Sequence, residues 1–152
     1  KYFNFVKQIV DGVELELTAQ PVKNFSITAN YTVITGDEQT QSRKSVKDTT
    51  YSYLLRRPKN NFNITTGYQF TKDFFVSITG KSVSKRYDVG GYRKDDLLLN
   101  SYFLLSAYAE YKYGKHVKFF ADAQNLTNKR FFDLRGYTAI PFLLNGGVTF
   151  NW

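Results

Sequence analysis

The stretch Asn145-Gly146-Gly147-Val148-Thr149-Phe150-Asn151-Trp152 closes the sequence and splits by parity. Leu144, Gly146, Val148, Phe150 and Trp152 fall on one side of an extended chain; Asn145, Gly147, Thr149 and Asn151 fall on the other. Successive side chains of a strand point to opposite faces, so one face here is apolar and one polar. Ordinary soluble domains fray into polar termini. This sequence stops in mid-strand on an indole, and the reading expects an apolar surrounding to meet that face.

The same alternation recurs upstream. Val13, Leu15, Leu17 and Ala19 alternate with Glu14, Glu16, Thr18 and Gln20. Phe25, Ile27, Ala29, Tyr31 and Val33 alternate with Ser26, Thr28, Asn30 and Thr32. Phe62, Ile64, Tyr68 and Phe70 oppose Asn61, Asn63, Thr65 and Gln69; Phe74, Val76 and Ile78 oppose Ser77, Thr79 and Lys81. Phe103, Leu105, Ala107, Ala109, Tyr111 and Tyr113 oppose Ser106, Tyr108, Glu110 and Lys112. Val117, Phe119, Ala121 and Ala123 oppose Lys118, Asp122 and Gln124. Period 2 over this much chain predicts strands, and no stretch shows a comparable helical period.

Connections alternate strictly between two kinds. Short ones sit at Pro21-Val22-Lys23-Asn24, Thr71-Lys72-Asp73 and Gly114-Lys115-His116. Long polar ones are expected at Gly36 to Asp48, Val89 to Asp96 and Asp133 to Ile140. The expectation is an all-β, antiparallel up-and-down meander of roughly seven long strands, with tight turns at one end and long loops at the other. Bacterial outer-membrane barrels are built this way, with short turns in the periplasm, and the C-terminus would then be periplasmic.

Composition agrees. The chain has 152 residues, no Cys, 14 Phe and 12 Tyr, yet only 42% hydrophobic residues. That combination fits a sheet with one greasy and one wet face. No thiolate metal site or disulfide can be drawn, and the longest aliphatic run, Leu97-Leu98-Leu99, is far short of a spanning helix. The net charge of +8 points to an anionic neighbour, nucleic acid or an anionic lipid surface. The apolar faces named above carry no charged residue, as lipid contact demands: a Lys or Arg at the midplane of a barrel's outer face costs roughly 2–4 kcal/mol. Aromatics recur in pairs eight residues apart, Phe62 with Phe70, Phe103 with Tyr111 and Phe142 with Phe150. At about 3.3 Å rise and a tilt of about 40° that separation is roughly 20 Å of depth, near the ~25 Å band between aromatic girdles. An open seven-stranded sheet would leave unpaired edges in lipid, so the sheet is expected to continue beyond Lys1, residues 2–9 already reading as strand.

Four motifs carry a resemblance. Asn145-x-Gly147-x-x-Phe150-x-Trp152 matches the C-terminal signal of outer-membrane barrels. Asn125-Leu126-Thr127-Asn128-Lys129-Arg130-Phe131-Phe132, followed by Gly136-Tyr137, resembles the penultimate-strand pattern of TonB-dependent receptors. Gly12-Val13-Glu14-Leu15-Glu16 and Leu55-Arg56-Arg57-Pro58-Lys59-Asn60 resemble two further strand starts of those receptors, in the family's order. One departure stands at Ile140-Pro141-Phe142, where the family carries Pro-Gly-Arg.

The resemblance, nearest to vitamin B12 and siderophore receptors, implies that residues 1–152 are the C-terminal part of a 22-stranded barrel whose plug and TonB box lie elsewhere. It implies import of a scarce ferric siderophore or cobalamin-class ligand, driven through the TonB complex, without cofactor or bond chemistry. Asn145, Gly147, Phe150 and Trp152 would be read by the barrel-assembly machinery. Glu14, Glu16, Asn30, Asn63, Gln69, Lys81, Glu110, Lys112, Lys118, Asp122 and Gln124 would face the lumen and its plug, or simply be solvated. Arg43, Lys44, Arg86, Tyr87, Tyr92, Arg93, Arg135 and Tyr137 are the loop candidates for ligand contact; the plainer reading is that they meet lipopolysaccharide phosphates or keep loops soluble.

Competing classes leave little trace. A barrel enzyme needs a base, and the single His116 sits in a tight turn with no Ser-His-Asp set to join. A porin-like barrel or a glycan or peptide importer shares the strand pattern. A soluble ligand-binding barrel shares the alternation, but strand length and Trp152 oppose it. No stacking motif or Gly-rich phosphate loop supports nucleic acid.

Overall fold

The computed structural model describes residues 5–45 and 47–152, so of the segment 2–9 read as strand, residues 2–4 lie outside the described residues. Among the described residues all regular structure is strand. In chain order these are β1 (Phe5–Val22), β2 (Phe25–Gln41), β3 (Asp48–Tyr51), β4 (Asn60–Gln69), β5 (Phe74–Val83), β6 (Arg86–Asp88), β7 (Leu97–Leu99), β8 (Tyr102–Tyr113), β9 (Val117–Gln124), β10 (Phe132–Leu134), β11 (Tyr137–Thr138) and β12 (Leu143–Phe150). The main sheet runs β1-β2-β4-β5-β8-β9-β12, every neighbour antiparallel, with β3 added beside β2. That is the up-and-down meander of seven long strands expected from the alternation.

The loops differ from the sequence reading. The long connections are 42–59, 84–101 and 125–142, and each holds short strands of its own: β3, the β6–β7 hairpin and the β10–β11 hairpin. Gly36 to Thr40, read as loop, stay paired to β1 through Val10↔Gly36 and Phe5↔Thr40, and Gln41 pairs with Asp48 of β3. A ribbon rising past the apolar belt can be polar on both sides and still satisfy its backbone by pairing, so polarity alone misplaced that boundary.

Register shows that the faces are continuous across the sheet. Glu16, Asn30, Asn63 and Lys81 form one cross-strand row, as do Gln69, Phe75, Glu110 and Phe120. Every predicted lumen residue therefore shares the polar face. On the other face Val13, Leu15 and Leu17 are 63%, 61% and 55% exposed, and Phe70 and Phe150 are 57% and 65% exposed. Large apolar side chains that cover nothing mark a surface awaiting an apolar partner. Charge returns to that face only beyond Val13 and Val33, at Asp11, Asp37 and Lys7, which sets the belt's edge.

Two features of the polar face were not anticipated. Phe75 and Phe120 are the second members of Phe-Phe doublets and turn inward. Each lies on a glycine of the neighbouring strand. A Cβ at Gly67 would come within 2.9 Å of Phe75, and one at Gly147 within 2.7 Å of Phe120. A ring laid over a glycine hides backbone that no side chain covers. Gly147, chosen from the terminal motif, thus has a local packing reason to be glycine. The buried apolar residues Leu54, Val83, Leu99 and Tyr102 cluster where the long connections fold over the sheet end.

Short turns close the other end. Asn24 (φ 71°) and Gly114 (φ 65°) take the left-handed conformation that Asn and Gly accept most readily. His116 exchanges bonds with the last strand: its backbone oxygen accepts from Asn151 N, and its Nδ1 lies 2.8 Å from Asn151 O.

Candidate functional site

The three long connections are braced to one another by arginines and carboxylates. Arg43, from the first, pairs with Glu38 of β2 and reaches Asp96 of the second at 2.6 Å. Arg56, from the first, reaches Asp88 of the second at 2.6 Å. Arg86 reaches Asp133 of the third at 2.6 Å, and also donates to the carbonyls of Phe132 and Asp133 at 2.9 Å each. Asp88 accepts a further bond from the backbone N–H of Arg135 at 2.7 Å, and the Arg135 guanidinium bonds Gly90 O. The second connection is therefore tied to both of the others by charge-assisted bonds. Glu38, Asp88 and Arg86 are buried.

Aromatic rings fill the spaces between the pairs. Tyr53 stacks on Tyr87 at 3.8 Å, and its hydroxyl donates to Asp96 at 2.7 Å. Burial, and then the Asp96 hydrogen bond and negative charge, push the Tyr53 phenol above its ordinary range, so it serves as a donor at any physiological pH. Arg43 lies over the Tyr51 ring at 4.2 Å, and Arg86 near Tyr102 at 5.3 Å. Tyr102 packs on Phe131 at 4.0 Å and donates to Asp133. Burial opposes ionisation of Asp88, but bonds from Arg135 N, Arg56 and Val89 N outweigh it and hold its carboxyl below the usual range.

This geometry sorts the eight loop candidates. Arg43, Arg86 and Arg135 have their guanidinium groups engaged within the loops, and Tyr87 is stacked. Lys44 is exposed in a surface pair with Asp95. Tyr92 and Tyr137 project into solvent, 77% and 73% exposed, with Arg93 5.4 Å from the Tyr92 ring. The bracing carboxylates Glu38, Asp88, Asp96 and Asp133 escaped the sequence reading. The available signal was that acids inside a strongly basic chain need partners.

The third connection shows what the motif from Asn125 to Phe132 does. Asn125 is buried with φ 49°. Its side-chain amide donates to Lys129 O (3.0 Å) and Ile140 O (3.2 Å), while its Oδ1 accepts from Lys129 N (2.9 Å). Asn128 Oδ1 accepts from Phe142 N at 3.1 Å. Two asparagines thus pin both ends of one loop. Asn125→Ala should lower stability by about 1–3 kcal/mol, from orphaned backbone groups and a left-handed alanine. Urea unfolding of the full-length receptor in lipid vesicles would show it as a lower midpoint, and an unchanged midpoint would refute the assignment.

On the polar face the predicted lumen residues also interact. Asn63 donates to Asn30 at 2.8 Å, Thr65 and Thr79 share a bond of 2.9 Å, and Gln124 donates to Asp122 at 2.7 Å. Lys118 reaches Glu110 at 3.4 Å, and Thr32 bonds Glu14 at 3.4 Å. Near the short turns a hollow of about 520 Å³ is lined by Gln20, Lys23, Ser26, Gln69 and Phe75, among others. No cluster of three or more His, Cys, Asp or Glu side chains that could hold a metal occurs among the described residues.

A one-sided antiparallel sheet, with an apolar belt outside, a hydrogen-bonded polar face and braced loops at one end, is a sector of a membrane-type β-barrel. A family model described as TonB dependent receptor-like, beta-barrel matches residues 1–126, and the chain belongs to that family. Similar solved structures include the siderophore receptor PiuA from Acinetobacter baumannii (24% identity, TM-score 0.77, 94% of this chain and 22% of that one). The ferric-catecholate import receptor Fiu from K12 E. coli, in its closed form, is similar at 16% identity and TM-score 0.73, over 95% of this chain and 21% of that one. The ferripyoverdine receptor of the outer membrane of Pseudomonas aeruginosa, bound to ferripyoverdine, is similar at 15% identity and TM-score 0.74, over 94% and 19% respectively. At these identities the likeness shows the fold. The chain spans about a fifth of the length of these structures.

Proposed function

We propose that this chain is the C-terminal sector of an outer-membrane receptor that imports a metal chelate of the ferric siderophore or cobalamin class, energised through TonB acting on an N-terminal plug. The observation that carries the reading is the pairing of a charge-free belt with a hydrogen-bonded polar face on one family-matched sheet. The similar structures, a siderophore receptor and a ferric-catecholate import receptor among them, support the ligand class. Long loops face outward and short turns face the periplasm. The polar rows from Glu14 to Gln124, and the hollow beside Phe75, receive the plug. Phe150 and Trp152, both exposed at the strand end, are presented with Asn145 and Gly147 to the assembly machinery. The barrel positions and conducts; it does no bond chemistry.

Ligand contact falls on the side chains left outside the braces: Tyr92, Arg93 and Tyr137, and Lys44 of the surface pair with Asp95. In cells carrying the full-length receptor, Tyr92→Ala combined with Tyr137→Ala should reduce uptake of the labelled chelate about tenfold, the equivalent of one moderate contact residue. Unchanged uptake with normal surface abundance would remove both residues from the binding surface.

A further inference from the structure

His116, the single histidine of the chain, closes the tight turn Gly114-Lys115-His116 at the end of the sheet away from the braced loops. The ladder between β9 and β12 runs from Leu143↔Gln124 to Phe150↔Val117 and stops there. Asn151 and Trp152 lie one and two residues past it. Residues beyond a ladder fray unless something ties them down. Here the tie is His116. Its backbone oxygen accepts from Asn151 N at 2.8 Å. The answering bond, which a ladder would draw from a backbone N–H, comes from the ring: Nδ1 lies 2.8 Å from Asn151 O. A carbonyl oxygen only accepts, so Nδ1 carries the hydrogen, as it can in the neutral ring and does in the imidazolium. Among the described residues these are the only hydrogen bonds to Asn151.

The two bonds grip both backbone groups of Asn151. They prolong the extended conformation by one residue and set the direction of the next. By parity His116 falls with Lys118 on the polar face and Asn151 with Thr149, whereas Trp152 falls with Phe150 and Val148 on the apolar one. The imidazole therefore works from the wet side and leaves the indole bare. Trp152 is fully exposed, and Phe150 is exposed beside the Tyr113–Val117 pair.

We infer that His116 is a positioning residue for the terminal motif: it splints Asn151 so that Phe150 and Trp152 are displayed together on the outer face. The inference rests on the reading of that motif as a signal for the assembly machinery. A receptor that recognises two aromatics at strand spacing engages a preordered pair without the loss of backbone freedom that a frayed segment exacts.

Assembly of the urea-unfolded full-length receptor tests it, followed by heat-modified gel mobility in vesicles that contain the purified assembly machinery and in plain short-chain phosphatidylcholine vesicles. His116→Ala should slow assisted assembly roughly fivefold, the equivalent of one ordinary hydrogen bond, and change unassisted assembly by less than about twofold. His116→Asn, whose side-chain amide nitrogen stands where Nδ1 does, should recover the assisted rate. Trp152→Ala should slow assisted assembly by itself, and adding His116→Ala should slow it no further, because the histidine acts through the indole. A wild-type rate for Trp152→Ala overturns the signal reading and the splint with it. A slow Trp152→Ala beside an unaffected His116→Ala overturns the splint alone. So does equal slowing of His116→Ala with and without the machinery, failure of His116→Asn to recover the rate, or additive effects of the two substitutions: each would leave His116 an ordinary turn residue.

Discussion

Ile78→Arg should sharply reduce the fraction of full-length receptor that inserts into lipid vesicles, whereas Ser77→Arg, one residue earlier, should leave most of it able to insert. The expectation follows from the pleat. Ile78 is the central outward residue of β5, flanked across strands by Thr66 and Ala107, and its side chain is exposed. A guanidinium there has no water and no acid within the belt, at a cost of roughly 2–4 kcal/mol. Ser77 faces the opposite way, between Gly67 and Tyr108, on the same side as Lys81 and Glu110. An arginine there joins a polar surface. Heat-modified mobility on gels reads the folded fraction directly. Equal losses for the two variants would mean that both faces of the sheet are packed, and the barrel assignment would fail.

Asp88→Ala should loosen the loops without unfolding the sheet. The Asp88 carboxylate accepts from Arg56 Nε at 2.6 Å, Arg135 N at 2.7 Å and Val89 N at 2.8 Å. Arg56 is half exposed and rehydrates when its partner is lost; the two backbone N–H groups have less recourse. Their orphaning costs about 1–3 kcal/mol each, so hydrogen exchange at Val89 and Arg135 should quicken about 100-fold or more. Amides at mid-strand, such as Thr65 and Ala107, should be unaffected. The same carboxylate sets an acid limit. Its folded pKa lies below the ordinary value, so its stabilisation is fully present above about pH 4 and is lost as pH falls through the folded value. Asp88→Asn should remove that step in loop protection. Persistence of the step in Asp88→Asn would assign it to another carboxylate.

The strands were legible because period-2 alternation is a direct consequence of the pleat, and lipid contact strips charge from one set of positions. The faces of all seven long strands could be read from parity alone. Strand ends were less legible. Gly36 to Thr40 lie beyond the belt, where nothing selects for alternation, yet they remain paired with β1. The doublets Phe74-Phe75 and Phe119-Phe120 obey parity but break the alternation of polarity, because the second ring answers to a glycine on the next strand that only the register reveals. At the loops the sequence advertised arginines and tyrosines as surface groups. Arg43 and Arg86 are instead matched to acids far along the chain, Asp96 and Asp133, and no local pattern announces a pairing at that separation. The motifs carried more than they displayed. Arg56 of the Arg-x-Pro stretch and Asn125 of the Asn-Leu stretch hold the junctions between wall and loops, a structural task that also explains why such residue types stand there.

The bracing has a consequence for how such a mouth could diversify. Tyr92, Arg93 and Tyr137 stand clear of the arginine–carboxylate ties, as fittings on a finished frame. Exchanging them alters what the rim offers to a passing molecule while leaving the scaffolding beneath undisturbed. A swap at Asp88 or Glu38, by contrast, would require rebuilding from below. Novelty at the tips is cheap here, and at the joints it is expensive.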